Sequence, residues 1–417
     1  MKRLAELGKS ILIVLLLCSL ALLAVASVPT DSLREIPWLS TVLQPVAPLL
    51  GLPEAELAYV AAAPTVQDAA LPIAISVHNS AGRSTAMWDF AALDDRFDSL
   101  GSFLGQALDT AEIFTKVSQS QLQTALTGDS VYFRYGAPLP AALYASWLGA
   151  SLEAAVPETD GCLLAIHGDA VALYLIGATS YVAETPLPAD ELRALLDTYR
   201  PDGSQFAFEA GWDLSALSLI PGSTTAVPGG TVSDPVSSRF LEQLATDLGF
   251  NPYGETRYTD ADGAIHFSEA NCSLEIQPGG TIQLTAAEDR VPAAGPDLAA
   301  LVETARQLTD LAAGRVSGAA RLYLSGITRT DSETVCTFDY FFGGIPVVPD
   351  GGSAAAVTFT GSAVTQMTVR PYHFARTEET IYPLPVAQAA ALLAPGSSLT
   401  LQYRVTAADT LDAGWQK

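Results

Sequence analysis

With 417 residues, 49% of them hydrophobic and 16% charged, the chain is long enough for two or three domains with real cores, which excludes a disordered acidic polymer. The formal net charge of −24 repels phosphate backbones and anionic lipid headgroups. Lysine is confined to Lys2, Lys9, Lys116 and Lys417, no basic run tracks phosphates, and nucleic acid is excluded as a partner.

The chain opens with Lys2, Arg3 and Lys9 ahead of an uncharged apolar run from Ile11 to Val28, the basic flank and apolar core of an export signal or a membrane anchor. The bulk of the protein is therefore expected outside the cytoplasm. Ala24-Val25-Ala26 fits a small-x-small cleavage site, while the run also meets the roughly 18 residues of a short spanning helix, so cleavage and retention both stay open. We take the retained form as the expectation: a cytoplasmic tail at 1–10, a single-pass anchor at 11–28, and everything after it extracytoplasmic. Ser19, Ala21, Ala24 and Ala26 offer that anchor a small-residue face for a neighbouring spanning helix. Leu17 precedes Cys18 where a lipoprotein would carry a small residue, which argues against lipidation.

Prolines at 29, 37, 45, 48, 53, 64 and 72 interrupt any long helix, and 29–72 reads as a Pro/Ala-rich stalk. Ordered structure is expected from Ile73, as a hairpin turning at Ala81-Gly82-Arg83 before a helix over 93–110. Phe97, Leu100, Leu104 and Leu108 give that helix one apolar face. Strands follow at 131–135, 162–168 and 170–177, the last two joined at Gly168-Asp169, then a helix at 189–198. Together these make a mixed α+β domain at 73–200, closed by a junction at Arg200-Pro201-Asp202-Gly203.

The Gly/Pro/Ser-rich stretch Pro221–Pro235 reads as a loop. A helix at 238–248 and four strands, ETRYTD, AIHFSE, SLEIQ and TIQLTAA, make a helix-plus-meander unit within 201–294. The pattern recurs within 295–417: a helix at 297–312, strands ARLYLSGI, TVCTFDYFF, AAVTFTG and VTQMTVRPYHF, a helix near 386–393 and a closing strand LTLQYRV. The fold class is α+β, an N-terminal transmembrane helix followed by one mixed domain and two related helix-plus-antiparallel-meander units.

Residues that could carry chemistry are sparse. His78, His167, His266 and His373 fall in separate predicted strands, without a second histidine or an H-E-x-x-H spacing nearby, so no metal site is expected. Nucleophile elbows, S-x-x-K pairs, Walker loops and dinucleotide turns are missing from the sequence, and neither a catalytic residue nor a cofactor is assigned. Asp260, Asp262, Gly263 and Glu269 match four positions of a calcium loop, but Tyr258 holds the first ligand position and the flanks alternate like strands, so a hairpin turn at 260–263 is expected. Asn271-Cys272-Ser273 is a formal glycosylation sequon that carries no information beside a bacterial-looking export segment. Cys162, Cys272 and Cys336 are an odd, widely spaced set inside apolar or alternating runs and read as small buried hydrophobes; one bridge between two of them stays open.

The segment LGFNPYGETRYTDADGAIHFSEANCSLEIQPGGTIQLTA resembles the middle of the YycH/YycI accessory proteins of the WalK–WalR two-component system, built of PepSY-like helix-plus-meander units. FDYFFGGIPV, AVTFTGSAVTQMTVRPYHF, YPLPVAQAAALL and the closing LQYRV with LDAGW are similar to the last domain of that family, down to the terminal Trp415. The likeness is specific from about residue 238 onward; the acidity and the Pro/Ala stalk depart from it. It implies a non-enzymatic regulator that contacts a membrane-bound sensor histidine kinase, or a second accessory protein beside it, in cell-wall homeostasis, with activation and inhibition equally open. The alternative is a secreted or wall-side PepSY-like binding protein that inhibits a peptidase, which tolerates cleavage after Ala26.

Overall fold

The computed structural model describes residues 69–416, apart from 153–157, 224–225, 255, 270, 288–290 and 350–351. The expected tail at 1–10, the anchor at 11–28 and nearly all of the stalk lie outside the described residues. Among the described residues no helix is long and apolar enough to cross a membrane. At the C-terminal end of the expected stalk, Ala70 and Leu71 are buried in the core.

Among the described residues the architecture is α+β, with two large sheets and eight α-helices. The first sheet is built from β1 (Ala74–Asn79), β2 (Gly82–Met87), β3 (Thr115–Lys116), β4 (Ser130–Leu139), β5 (Thr159–His167), β6 (Ala170–Ile176) and β7 (Tyr181–Pro188). Its strand order is β2-β1-β4-β5-β6-β7-β3 and every pairing is antiparallel. Helix α1 (Phe90–Thr110) starts where the Asp89 carboxylate accepts from the Ala91 N–H, and it buries Leu93, Phe97, Leu100, Leu104 and Leu108. Phe97 meets Phe133 edge-on at 6.3 Å.

Successive strand residues point to opposite faces. Val131, Phe133, Cys162 and Leu164 therefore join the core on the α1 side, whereas Tyr132, Leu163 and Ala165 join a second cluster with Leu122, Leu126 and Phe206. Burial on both faces explains why CLLA is continuously apolar. The second cover comes from α2 (Gln119–Leu126), β8 (Gln205–Phe206) and β9 (Leu219–Ile220). The Ser/Gln-rich sequence of α2 shows no apolar face long enough to announce a helix; a capping box between Ser118 and Gln121 starts it. Two further helices complete this half, α3 (Ala141–Trp147) and α4 (Ala189–Leu196).

The free edge of β2 is closed by the segment expected to be a junction. Asp202 N–H donates to the Arg83 carbonyl at 3.0 Å, and its carboxylate accepts from Thr85 N–H at 2.8 Å. Arg83, itself buried, donates to both Glu209 oxygens, to the Ser76 hydroxyl and to the Leu126 carbonyl, and lies over the Phe206 ring. Glu209 belongs to the short helix α5 (Ala207–Ala210).

The stretch 221–235 is corrected from a loop to one that contains a strand, β10 (Val227–Ser233), paired antiparallel with β20 (His373–Ile381). Its glycines serve close approach: a Cβ on Gly229 would meet the Thr377 hydroxyl and the Glu379 carbonyl, and one on Gly230 would lie 2.8 Å from the Phe342 ring and 2.9 Å from Leu411.

The second sheet has eleven strands. The first meander supplies β11 (Arg257–Thr259), β12 (Ile265–Glu269), β13 (Cys272–Ile276) and β14 (Ile282–Ala286), after helix α6 (Ser238–Asp247). The remainder supplies β15 (Ala320–Arg329), β16 (Glu333–Phe342), β17 (Ile345–Val348), β18 (Ala355–Thr360), β19 (Ala363–Val369), β21 (Leu401–Val405) and β22 (Leu411–Trp415), with helices α7 (Leu298–Ala312) and α8 (Val386–Leu392). The path runs β11-β12-β13-β14-β19-β18-β16-β17-β21-β22, and β15 flanks β16. Across the expected division at residue 294, β14 pairs with β19, Ile282 facing Val369 and Leu284 facing Met367. The two meanders are thus parts of one sheet, and the described residues fall within one compact unit, Ala63–Lys417.

VTQMTVRPYHF is not the single strand expected of it. β19 ends at Val369, Pro371 interrupts the ladder, and β20 begins at His373 against a different partner. The Tyr340 hydroxyl fixes that corner, donating to the Arg370 carbonyl at 3.0 Å and accepting from Tyr372 N–H at 3.1 Å.

Gly230→Val is expected to destabilise the fold by about 1–3 kcal/mol through overpacking against Phe342 and Leu411. Urea unfolding checks this, and an unchanged midpoint would mean that β10 is not seated there.

Candidate functional site

The residues singled out in the sequence are dispersed by the fold. His78 sits on β1 with Nδ1 2.9 Å from the Gly128 carbonyl, and burial followed by the nearby Arg83 charge lowers its pKa. His167 on β5 lies 2.8 Å from Glu184, exposed on both sides. His373 on β20 contacts the Val316 carbonyl through Nδ1 at 3.0 Å. Among the described residues there is no group of three or more His, Cys, Asp or Glu side chains placed to hold a metal ion.

The calcium-like pattern folds as the hairpin turn between β11 and β12. Asp260 Oδ1 accepts from the N–H groups of Asp262 and Ala264, Gly263 takes φ +88°, and His266 donates to Asp260 Oδ2 at 2.9 Å. That last bond, first among the causes, holds the Asp260 carboxyl below its ordinary range. Glu269 turns away to accept from Asn251 N–H, so the four acidic-loop positions do not converge. The ring of Tyr258 stacks on His266 at 4.8 Å.

The three cysteines are buried, one each on β5, β13 and β16. No bridge links them. Burial pushes the Cys162 and Cys336 thiols up to about 12, so neither is a nucleophile at neutral pH.

Two surfaces stand out instead. A cleft of about 540 Å³ opens between β1, β4, the β16–β17 hairpin and β21, lined among others by Trp88, Arg134, Asp339, Phe341, Val347 and Gln402. Trp88 holds φ +60°, a conformation costly for a bulky side chain; its backbone lies beside Gly344 and its ring meets Trp415 edge-on at 5.7 Å. The Asp339 carboxylate accepts from the Ala354 N–H, and the half-buried Arg134 is the cation in a lining that is otherwise largely apolar. Neither Trp88 nor the cleft was foreseeable from the sequence, since Trp88 reads there as an ordinary strand aromatic.

The other surface is the outer margin of the eleven-stranded sheet. β11 pairs with β12 alone, and Tyr253 and Tyr258 beside it are 77% and 56% exposed. An edge strand with exposed aromatics can accept another strand.

Acidic groups under strain lie elsewhere. Asp310, in the last turn of α7, is nearly buried, and burial raises its pKa despite the opposing charges of Arg315 and Arg306. The negative end of the helix adds to that penalty. Burial likewise raises Asp160 against the pull of Arg134.

No family model, curated protein or solved structure matches the chain.

Thiol reagents are expected to leave Cys162, Cys272 and Cys336 unmodified in the native protein at pH 7.5 and to label all three once it is unfolded; fast labelling of the folded protein would contradict their burial. Asp310 binds its proton more tightly folded than unfolded, so it costs stability at neutral pH and the cost fades as pH falls through its raised pKa. Asp310→Asn should therefore raise the urea midpoint at pH 7 relative to the parent, with the difference shrinking towards pH 3; a gain independent of pH would assign it to another cause.

Proposed function

We propose that this chain is a membrane-anchored extracytoplasmic regulatory protein of the YycH/YycI type, which modulates a two-component sensor histidine kinase by protein–protein contact and has no enzymatic activity. The observation that carries the reading is the joining of Lys2, Arg3, Lys9 and the apolar run Ile11–Val28 to a β-rich body whose strands β11–β14 hold the family-like segment. Contact by strand addition at β11 suits such a role, because backbone groups supply the affinity and exposed Tyr253 and Tyr258 supply selectivity. His78 and the Asp260 turn are engaged in local strand and turn contacts.

A secreted or wall-side binding protein that inhibits a peptidase is the second reading, favoured by the cleavage-like Ala24-Val25-Ala26. The test is purification of the full-length protein from membranes beside a variant whose Ile11–Val28 is replaced by an unrelated spanning helix. Recovery of a sensor kinase with the native protein is expected, and its loss in the variant would place the contact in the membrane. A mature N-terminus at Ser27 with no kinase recovered from either form would overturn the accessory reading.

A further inference from the structure

Between Thr380 and Tyr403 the chain carries no charged residue, an unusual length in a protein of net charge −24. Apolar side chains in that segment face solvent: Tyr382 is 70%, Leu384 50% and Leu392 62% exposed. Only Ala389 of α8 is buried, which leaves Ala387 and Ala391, one turn apart, on the open side. Beside them runs a groove of about 360 Å³, walled by Trp212, Leu214, Leu393 and Pro395.

The groove is built rather than frayed. Ser215 N–H donates to the Ser397 carbonyl at 2.8 Å and Gly396 N–H to the Asp213 carbonyl at 3.2 Å, tying its two walls together. The Trp415 indole N–H holds the Leu384 carbonyl at 2.8 Å, and Ala207, Leu214, Ile220, Ala389 and Leu399 pack beneath as a separate small core. A surface fixed in advance spends little ordering free energy on binding.

From these features we infer that the α8 groove is a docking site for an amphipathic helix of a partner protein, with an apolar stripe and basic flanks. Alanines one turn apart admit close helix approach, and Leu392, exposed on the same helix, follows Ala391 of the lining. The charge at its border selects the partner. Asp213 stands in the lining as its one charged residue, with no cation in the groove wall. Two copies meeting through this face would set the same carboxylates against each other, which disfavours a symmetric dimer. The net charge of −24 equally disfavours an anionic lipid surface. The inference does not rest on the sensor-kinase reading and stands whether the N-terminal segment is kept or removed.

The test is selection of a displayed library of random helical 16-residue peptides on the full-length protein in nanodiscs of phosphatidylcholine. Enriched peptides should carry apolar residues at i, i+3/i+4 and i+7 with Lys or Arg at the margins. Their affinity should fall at least tenfold on Leu392→Glu or on replacing their basic residues by Glu, and also on Ala391→Lys, which leaves the groove open but repels the flanks. Unfolding curves of these surface variants show that the fold is intact. Absence of enrichment, acidic flanks, or equal affinity for the variants would overturn the proposal. So would a benzophenone side chain at position 392 that captures phosphatidylcholine or a second copy of this chain instead of peptide.

Discussion

The pairing of β14 with β19 is the constraint on which the second half of the molecule depends. A four-strand meander such as β11–β14 has two edges, and unpaired N–H and C=O groups on a buried edge are costly. Placing Ile282 against Val369 and Leu284 against Met367 satisfies that edge with strands from sequence eighty residues on. It also aligns Leu284, Met367 and Val357 in one apolar core. The two segments, expected to be separate units, become one eleven-stranded sheet.

The first sheet solves a different problem, since both of its faces are apolar. α1 covers one; α2, inserted between β3 and β4, and β8 and β9, from beyond the sheet's own sequence, cover the other through Leu122, Leu126, Phe206 and Leu219. Arg83 locks that cover by engaging Glu209, Ser76 and the Leu126 carbonyl at once. A buried cation persists only when its donors are satisfied, so the segment after residue 200 is held to the β2 edge as firmly as any strand neighbour. The exposed features lie elsewhere: β11 with its tyrosines, the cleft lined by Trp88, and the uncharged α8 face.

The distribution of charge follows the same division of labour. Several arginines turn inward to structural partners, such as Arg83 to Glu209 and Arg321 to Asp94 at 2.7 Å, while most carboxylates face solvent. The excess negative charge repels polyanions. Against that background the uncharged segment from 380 to 403 is the surface least opposed to an apolar partner.

Local pattern was enough to place most long elements. The 3.6-residue spacing of Phe97, Leu100, Leu104 and Leu108 marks α1, and the alternation in SLEIQ and TIQLTAA marks β13 and β14. Periodicity is a property of neighbouring residues and needs no knowledge of what they pack against. The reading of Cys162, Cys272 and Cys336 as buried apolar residues has the same origin. What local pattern misjudged were positions whose meaning comes from distant partners. Gly229 and Gly230 look like a loop until β20 is laid across them, and Pro371 looks like part of a strand until Tyr340 holds the corner around it. The continuity of the two meanders, the left-handed Trp88, the cleft and the α8 groove depend on contacts across more than a hundred residues or between separate elements. Sequence by itself determined the α+β class, many of the longer strands and the acidic, lysine-poor composition, because these follow from composition and short-range periodicity. Only tertiary structure decided which edges were closed and which apolar faces stayed open, because a strand's partner is chosen by packing and hydrogen-bond satisfaction over the whole chain.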